Sequence, residues 1–212
     1  MTTAKEYENE VGELLDAYFA GIDTVCVRVR KSLRYRSERG YRNYSPIIDI
    51  SVGPFAETPG THLHNEFDQL VTYSGGFIDR ILTEFRQNYR HFGEGFFDFE
   101  ERNIPASHRE FLSTNTGANW NARCYIAIEV EDSGDTKHLL GDLVNVGISG
   151  RIGIAIGFNG DKFKAFMRQL DYLAYTIEAH KTKFNSRNIM VLEADQFRTA
   201  LLDNMHPNNI PP

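Results

Sequence analysis

Residues 122–158 constrain the fold of this chain more than any other stretch. Strand-forming residues at 122–131 are followed by the turn DSGD, the amphipathic stretch TKHLLGDLVNVGIS and the apolar run RIGIAIGF. The turn supplies helix-capping residues, and Gly150 ends the helical pattern. A strand, a helix and a second strand in so short a segment form a βαβ unit. The two strands are therefore predicted to be parallel, with a right-handed crossover.

Helical and extended patterns fill most of the remaining chain. Apolar residues at helical spacing predict helices, and alternation predicts strands. The predicted helices cover residues 4–20, 75–92, 161–184 and 194–205, and the further strands cover 24–36, 45–54 and 188–193. Residues 56–74 are predicted to be irregular and 93–121 to form long loops or an insertion. The economical interpretation is one α/β domain over residues 1–205 with a tail at 206–212.

Composition bounds the class of protein. The 212 residues are 41% hydrophobic, enough for one well-packed core. No apolar run approaches the roughly 20 residues that span a bilayer, so we expect no membrane partner. The N-terminus is charged and polar, unlike a signal peptide. The two cysteines, Cys26 and Cys124, form no framework and favour reduced thiols in a cytoplasmic protein.

Acidic residues interrupt two predicted strands. In CYIAIEVED, Glu129 and Glu131 share one strand face, because successive side chains point to opposite faces. In SPIIDISV, Asp49 lies mid-strand. Buried carboxylates are costly unless they are paired or bound to metal, and neither strand core contains Lys or Arg. Convergence of the three would favour a hard cation such as Mg²⁺. The alternative is acids near strand ends that reach solvent.

One short segment is strongly basic. Residues 28–42 carry a net charge of +6 in a chain whose net charge is -6. Such asymmetry indicates an anionic partner, with nucleic acid as the leading candidate. The alternative is a solvated basic hairpin paired with acidic neighbours. The predicted nucleic-acid-binding residues are Arg28, Arg30, Lys31, Arg34, Arg36, Arg39 and Arg42.

Other polar clusters give weaker signals. His62 and His64, near Glu66 and Asp68, have a zinc-like His-x-His spacing, but a polar loop is the better interpretation. Further acids occur without a supporting pattern. They are Asp98, Glu100 and Glu101 in the loop region, and Glu10 and Glu13 on the first helix.

The order of elements and acids resembles the core of the PD-(D/E)xK restriction endonuclease-like superfamily. SPIIDIS resembles the first half-motif, with Pro46 and Asp49 as its proline and acid. IEVE resembles the second, with Glu129 as its acid and Glu131 in the lysine position. The resemblance implies a restriction-endonuclease-like core, a central mixed sheet flanked by helices, with 54–121 as an insertion between the half-motifs.

The same resemblance implies a function and a site. Asp49, Glu129 and the carbonyl of Val130 would hold Mg²⁺ or Mn²⁺. Glu131 would act as a base or help to hold a second ion, and Lys137 would partly replace the missing lysine. The implied activity is hydrolysis of phosphodiester bonds, with DNA as substrate, and homodimerisation is part of the same implication. Two alternatives stay open: a catalytically inactive nuclease-like binding or regulatory module, and a hydrolase of another phosphate ester.

Overall fold

A five-stranded mixed sheet forms the centre of the molecule. The structure is a computed structural model that describes residues 3–34, 47–57, 61–93, 119, 121–178, 180–182, 184 and 186–205. The strands are β1 (Arg28–Arg34), β2 (Ile47–Gly53), β3 (Cys124–Glu131), β4 (Gly150–Gly157) and β5 (Ile189–Glu193). They lie in the order β1-β2-β3-β4-β5. The β1–β2 and β2–β3 pairs are antiparallel, whereas β3–β4 and β4–β5 are parallel.

Six described helices flank this sheet. They are α1 (Ala4–Phe19), α2 (His64–Tyr73), α3 (Gly75–Gly93), α4 (Thr136–Ser149), α5 (Gly160–Glu178) and α6 (Ala194–Asp203). The predicted βαβ unit is confirmed, since β3 and β4 run parallel on either side of α4 in the chain. The α/β class and the mixed sheet flanked by helices are confirmed as well. None of the helices within the described ranges is long and apolar enough to cross a bilayer.

The helices cover opposite faces of the sheet. Lys31 and Ile50 are register partners on one face, where the Lys31 side chain lies close to Gly12 of α1. Ala127 and Gly153 are register partners on the other face, where Gly153 lies close to the α4 backbone. Glycine suits this position because a Cβ at Gly153 would lie 3.0 Å from backbone atoms of Val146, closer than most Cβ contacts. The close approach lets α4 pack directly on the parallel part of the sheet.

The prediction of irregular structure at 56–74 is wrong, since α2 occupies His64–Tyr73. Its Phe67 and Leu70 are buried and belong to the same apolar cluster as the sheet residues. The N-cap residue, Leu63, makes no side-chain capping bond, so the usual helix-start signal is missing. Helix α3 contributes further core residues, among them Phe77 and Ile81. Helices α2 and α3, which lie within the expected insertion, therefore contribute side chains to the core.

Several boundaries differ from the sequence predictions. Strand β1 begins at Arg28, four residues later than the alternating pattern predicts, and α5 ends at Glu178 instead of 184. Neither cysteine forms a disulfide bond with a described residue; Cys26 is exposed and Cys124 is buried. The tail at 206–212 and most of the predicted loop at 93–121, with Asp98, Glu100 and Glu101, lie outside the described residues.

Candidate functional site

Asp49 and Glu129 lie next to each other in the sheet. Ile50 pairs with Ile128 and Ser51 with Ala127, and one further step along the two strands places Asp49 opposite Glu129. The Val130 N–H donates a hydrogen bond to Asp49 Oδ2 at 2.9 Å, and the Asp49 N–H donates to Glu129 Oε2 at 3.3 Å. The two carboxylates therefore bind backbone N–H groups of the neighbouring strand beyond the last register pair. This geometry places Asp49 and Glu129, two of the three predicted acids, side by side.

Burial makes this pair electrostatically expensive. Glu129 is only 5% exposed. Burial, followed by the charges of Asp49 and Asp142, raises the pKa of Glu129 well above its usual range. Removing the charge, either by binding a proton or by binding a cation, relieves that cost. The pair is therefore a place where a proton or a metal ion would be held.

Helix α4 adds two polar residues that the sequence analysis missed. Burial and the charges of Glu131 and Asp49 raise the pKa of Asp142 to about 7. Asn145 Nδ2 donates to Glu129 Oε1 at 3.5 Å. With His138, whose charge acts on Asp142 in the opposite direction, they follow helical spacing on a mostly apolar helix. This polar stripe on α4 is the sequence pattern from which Asp142 and Asn145 could have been predicted as site residues.

Helix α1 contributes a lysine and a second buried acid, also missed. Lys5 Nζ forms an ion pair with Glu8 Oε2 at 2.6 Å, and Glu8 is buried. The hydrogen bond to Glu8 and its charge, with a smaller contribution from Asp49, raise the pKa of Lys5. Lys5 therefore brings a positive charge within electrostatic reach of Asp49. Neither Glu10 nor Glu13, the acids that the sequence analysis considered on this helix, has this position: Glu10 pairs with Arg198, and Glu13 is exposed.

Glu131 stabilises a turn. Its Oε1 accepts hydrogen bonds from Ser133 N at 2.7 Å and Gly134 N at 2.6 Å. Lys162 at the start of α5 donates to the Gly134 carbonyl at 2.7 Å and holds the same turn from the other side. The carboxylate in the lysine position is thus bound to backbone, although its charge still reaches Asp142.

Lys137 is exposed on the first turn of α4. Its backbone N–H donates to the Asp135 cap, and its ammonium makes no ion pair or hydrogen bond with any residue in the described ranges. The structure therefore does not bring Lys137 to the acids, whereas the charge of Asp49 makes a small contribution to the raised pKa of Lys5.

The basic segment is partly engaged within the protein. Arg30 forms an ion pair with Glu57 at 2.6 Å and lies 4.3 Å from the centre of the Phe55 ring. Lys31 Nζ donates to the side chain of Asn9 on α1 at 3.1 Å. Arg28 is exposed. Arg34 ends β1 with a side chain that is not described, and Arg36, Arg39 and Arg42 lie outside the described residues.

The donor chemistry at Asp49 and Glu129 fits a hard divalent cation, because both are carboxylates and their charges are not fully compensated. Val130 takes part through its N–H, which binds Asp49. Among the residues that the structure describes, no group of three or more His, Cys, Asp or Glu side chains is arranged to hold a metal ion. The His62 and His64 pair, considered as a zinc site, also forms no such group. The centres of the two rings lie 5.7 Å apart in a stacked arrangement, and the nearby Asp68 contacts Arg151.

No protein-family model, curated protein or solved structure matches this chain in the three comparisons made.

Proposed function

We propose that this protein is a divalent-metal-dependent nuclease of the PD-(D/E)xK restriction endonuclease-like kind, which hydrolyses phosphodiester bonds in DNA. One observation carries the proposal: Asp49 and Glu129, predicted as the two acids of the motif, meet in the sheet with Glu129 buried and its pKa raised. Perturbed carboxylates at one point of a sheet are typical of functional sites. The acids also lie near the carboxyl ends of the parallel strands β3 and β4, a common ligand position in α/β sheets.

Each residue has a role in this proposal. Asp49 and Glu129 hold the ion, and Asn145 orients the Glu129 carboxylate through its hydrogen bond. When bound, Mg²⁺ or Mn²⁺ supplies Lewis acidity toward the phosphodiester. Asp142, with a pKa of about 7, accepts a proton at neutral pH. Lys5 on α1 carries a positive charge that interacts electrostatically with Asp49. A homodimer and a cytoplasmic location stay predictions.

A specific observation favours a second candidate, a nuclease-like binding or regulatory module without catalysis. Glu131 occupies the lysine position and is bound to the backbone of its own turn. A residue held in this way is poorly placed to activate water. In that case the basic segment at 28–42 would carry the function, with phosphate contacts that weaken as salt rises.

Calorimetric titration of Mn²⁺ separates the two candidates without requiring a known substrate. The wild type is compared with Glu129→Gln, which keeps the side chain's shape, and with Glu13→Gln, which removes an exposed acid elsewhere on the surface. The nuclease proposal expects binding by the wild type and Glu13→Gln that is lost in Glu129→Gln. Equal binding by all three proteins, or none at millimolar Mn²⁺ with DNA present as well, would contradict it.

A further inference from the structure

Helix α5 has an exposed face that combines cations with aromatic rings. Lys164, Arg168, Tyr172 and Tyr175 follow spacings of four, four and three residues, which places them along one side of a helix. Tyr172 is 55% exposed and Tyr175 58%, the highest values among the large apolar side chains that the structure describes as exposed. At about 1.5 Å per residue the stripe extends for roughly 17 Å. We call these four residues the α5 stripe.

The cations of the α5 stripe have no hydrogen-bond or ion-pair partner within the part of the chain that the structure describes. Neither Lys164 nor Arg168 makes a hydrogen bond or ion pair with a residue in the described ranges, although the chain is acidic overall. Asp161 lies on the same side in the first helical turn, where a negative charge is favourable near the helix N-terminus. Beyond that turn, the described stripe consists of unpaired positive charge and exposed aromatic surface.

This combination fits a polyanion with flat unpaired rings. Lysine and arginine bind phosphates, and aromatic side chains stack on bases that are not paired with a second strand. A second copy of this chain fits less well, because a contact between identical stripes would bring unpaired cations together. We propose that the α5 stripe binds single-stranded nucleic acid, with Lys164 and Arg168 on phosphates and Tyr172 and Tyr175 on bases.

The position of α5 relates the stripe to the acid pair. The helix begins directly after β4, and Lys162 in its first turn binds the carbonyl of Gly134, in the turn that follows β3. A single-stranded nucleic acid bound along the α5 stripe would extend toward the end of the sheet that carries Asp49 and Glu129. The inference does not depend on the proposed cleavage, because binding needs neither metal nor hydrolysis.

Fluorescence anisotropy with a labelled 20-nucleotide oligothymidine, in EDTA and over a series of salt concentrations, tests the proposal. Arg168→Gln is compared with Arg90→Gln, which removes an exposed arginine from α3. We expect Arg168→Gln to reduce the slope of log affinity against log salt by about 0.7, the value for one phosphate contact on a single strand. Arg90→Gln should keep the wild-type slope.

The aromatic contribution has its own matched pair. Tyr172→Ala should weaken binding about fivefold or more, because it removes a stacking ring, whereas Tyr172→Phe should bind like the wild type. Absence of wild-type binding, equal slopes for the two arginine variants, or wild-type affinity in Tyr172→Ala would each overturn the proposal. So would a wild-type dimer in light scattering that Tyr172→Ala converts to monomer without changing oligonucleotide affinity, since the stripe would then be a self-association surface.

Discussion

The carboxylates of Asp49 and Glu129 take the place of strand-to-strand hydrogen bonds. Each accepts a backbone N–H at the point where β2 and β3 would otherwise continue their ladder. Backbone N–H groups are satisfied in this way, but two negative charges are then held near each other in a poorly solvated position. Asp142 adds a third negative charge. The positive charges of Lys5 and His138 compensate the three only weakly. The local energy therefore depends strongly on protonation.

Asp142 should make stability depend on pH in a predictable direction. Its pKa is raised to about 7 from an ordinary value of 3.8, so the folded protein binds more protons than the unfolded chain between these values. The free energy of unfolding should therefore fall as pH rises from about 4 to 7. We expect Asp142→Asn to remove about 1–2 kcal/mol of that fall, after allowance for partial solvent exposure.

Urea unfolding at several pH values measures this effect. Glu129 also makes the free energy of unfolding fall as pH rises, so the measured quantity is the difference between Asp142→Asn and the wild type. This difference includes the lower pKa that Glu129 acquires when Asp142 loses its charge. The control is Asp203→Asn, an exposed acid on α6. A pH profile in Asp142→Asn that parallels the wild type would mean that Asp142 is well solvated and titrates normally.

At the level of elements, α2 most changes the interpretation of residues 54–121 as an insertion. Leu70 is fully buried, and Ser74, which follows α2, shares a hydrogen bond of 2.7 Å with the buried Tyr125 of β3. Leu70→Ala should lower the free energy of unfolding by about 2–5 kcal/mol. Gln69→Ala, at the exposed neighbouring position, should change it by less than about 0.5 kcal/mol. Equal small effects in urea unfolding would show that 64–93 is a peripheral insertion after all.

Local signals explain which elements could be predicted from the sequence. The βαβ unit has clear periodicity, an Asp135 cap that accepts from Lys137 N and His138 N, and a glycine stop, so its helix was found to the residue. Helix α2 has only Phe67 and Leu70 as fully buried residues and no side-chain cap, so it resembles a polar loop. Helix periodicity and capping lie within the segment itself, which is why they can be found without tertiary structure.

The site was predictable only in part, because its contacts are long-range. Asp49 and Glu129 stood out as acids on apolar strands, but the bond that joins the strands there spans 81 residues. Lys5 and Glu8 lie on a helix where a charged residue ordinarily faces solvent, so the sequence gave no reason to select them, whereas Asp142 could be suspected only from the polar stripe on α4. The role of Glu131 depends on the turn conformation at Ser133 and Gly134, which the strand pattern does not determine.

For the molecule as a whole, the proposed metal site links the free energy of unfolding to metal binding. A buried carboxylate with a raised pKa destabilises the metal-free fold, and functional sites commonly carry such costs. A ligand that binds only the folded state stabilises it in proportion to its affinity. The same side chain, Glu129, should therefore have opposite effects on global stability with and without a divalent ion.

Thermal unfolding of wild type, Glu129→Gln and Glu13→Gln tests this reversal. Without metal, Glu129→Gln should melt above the wild type, by about 2–4 °C for each kcal/mol gained in a chain of this size. With Mn²⁺ at 100 times its dissociation constant, the wild type should gain about 2.7 kcal/mol, and Glu129→Gln should gain nothing, so the order of melting temperatures inverts. Glu13→Gln should follow the wild type in both conditions. If Glu129→Gln is the more stable protein in both, while Mn²⁺ leaves the wild type unchanged, the buried acid is a cost without a metal to offset it, and the non-catalytic module becomes the better interpretation.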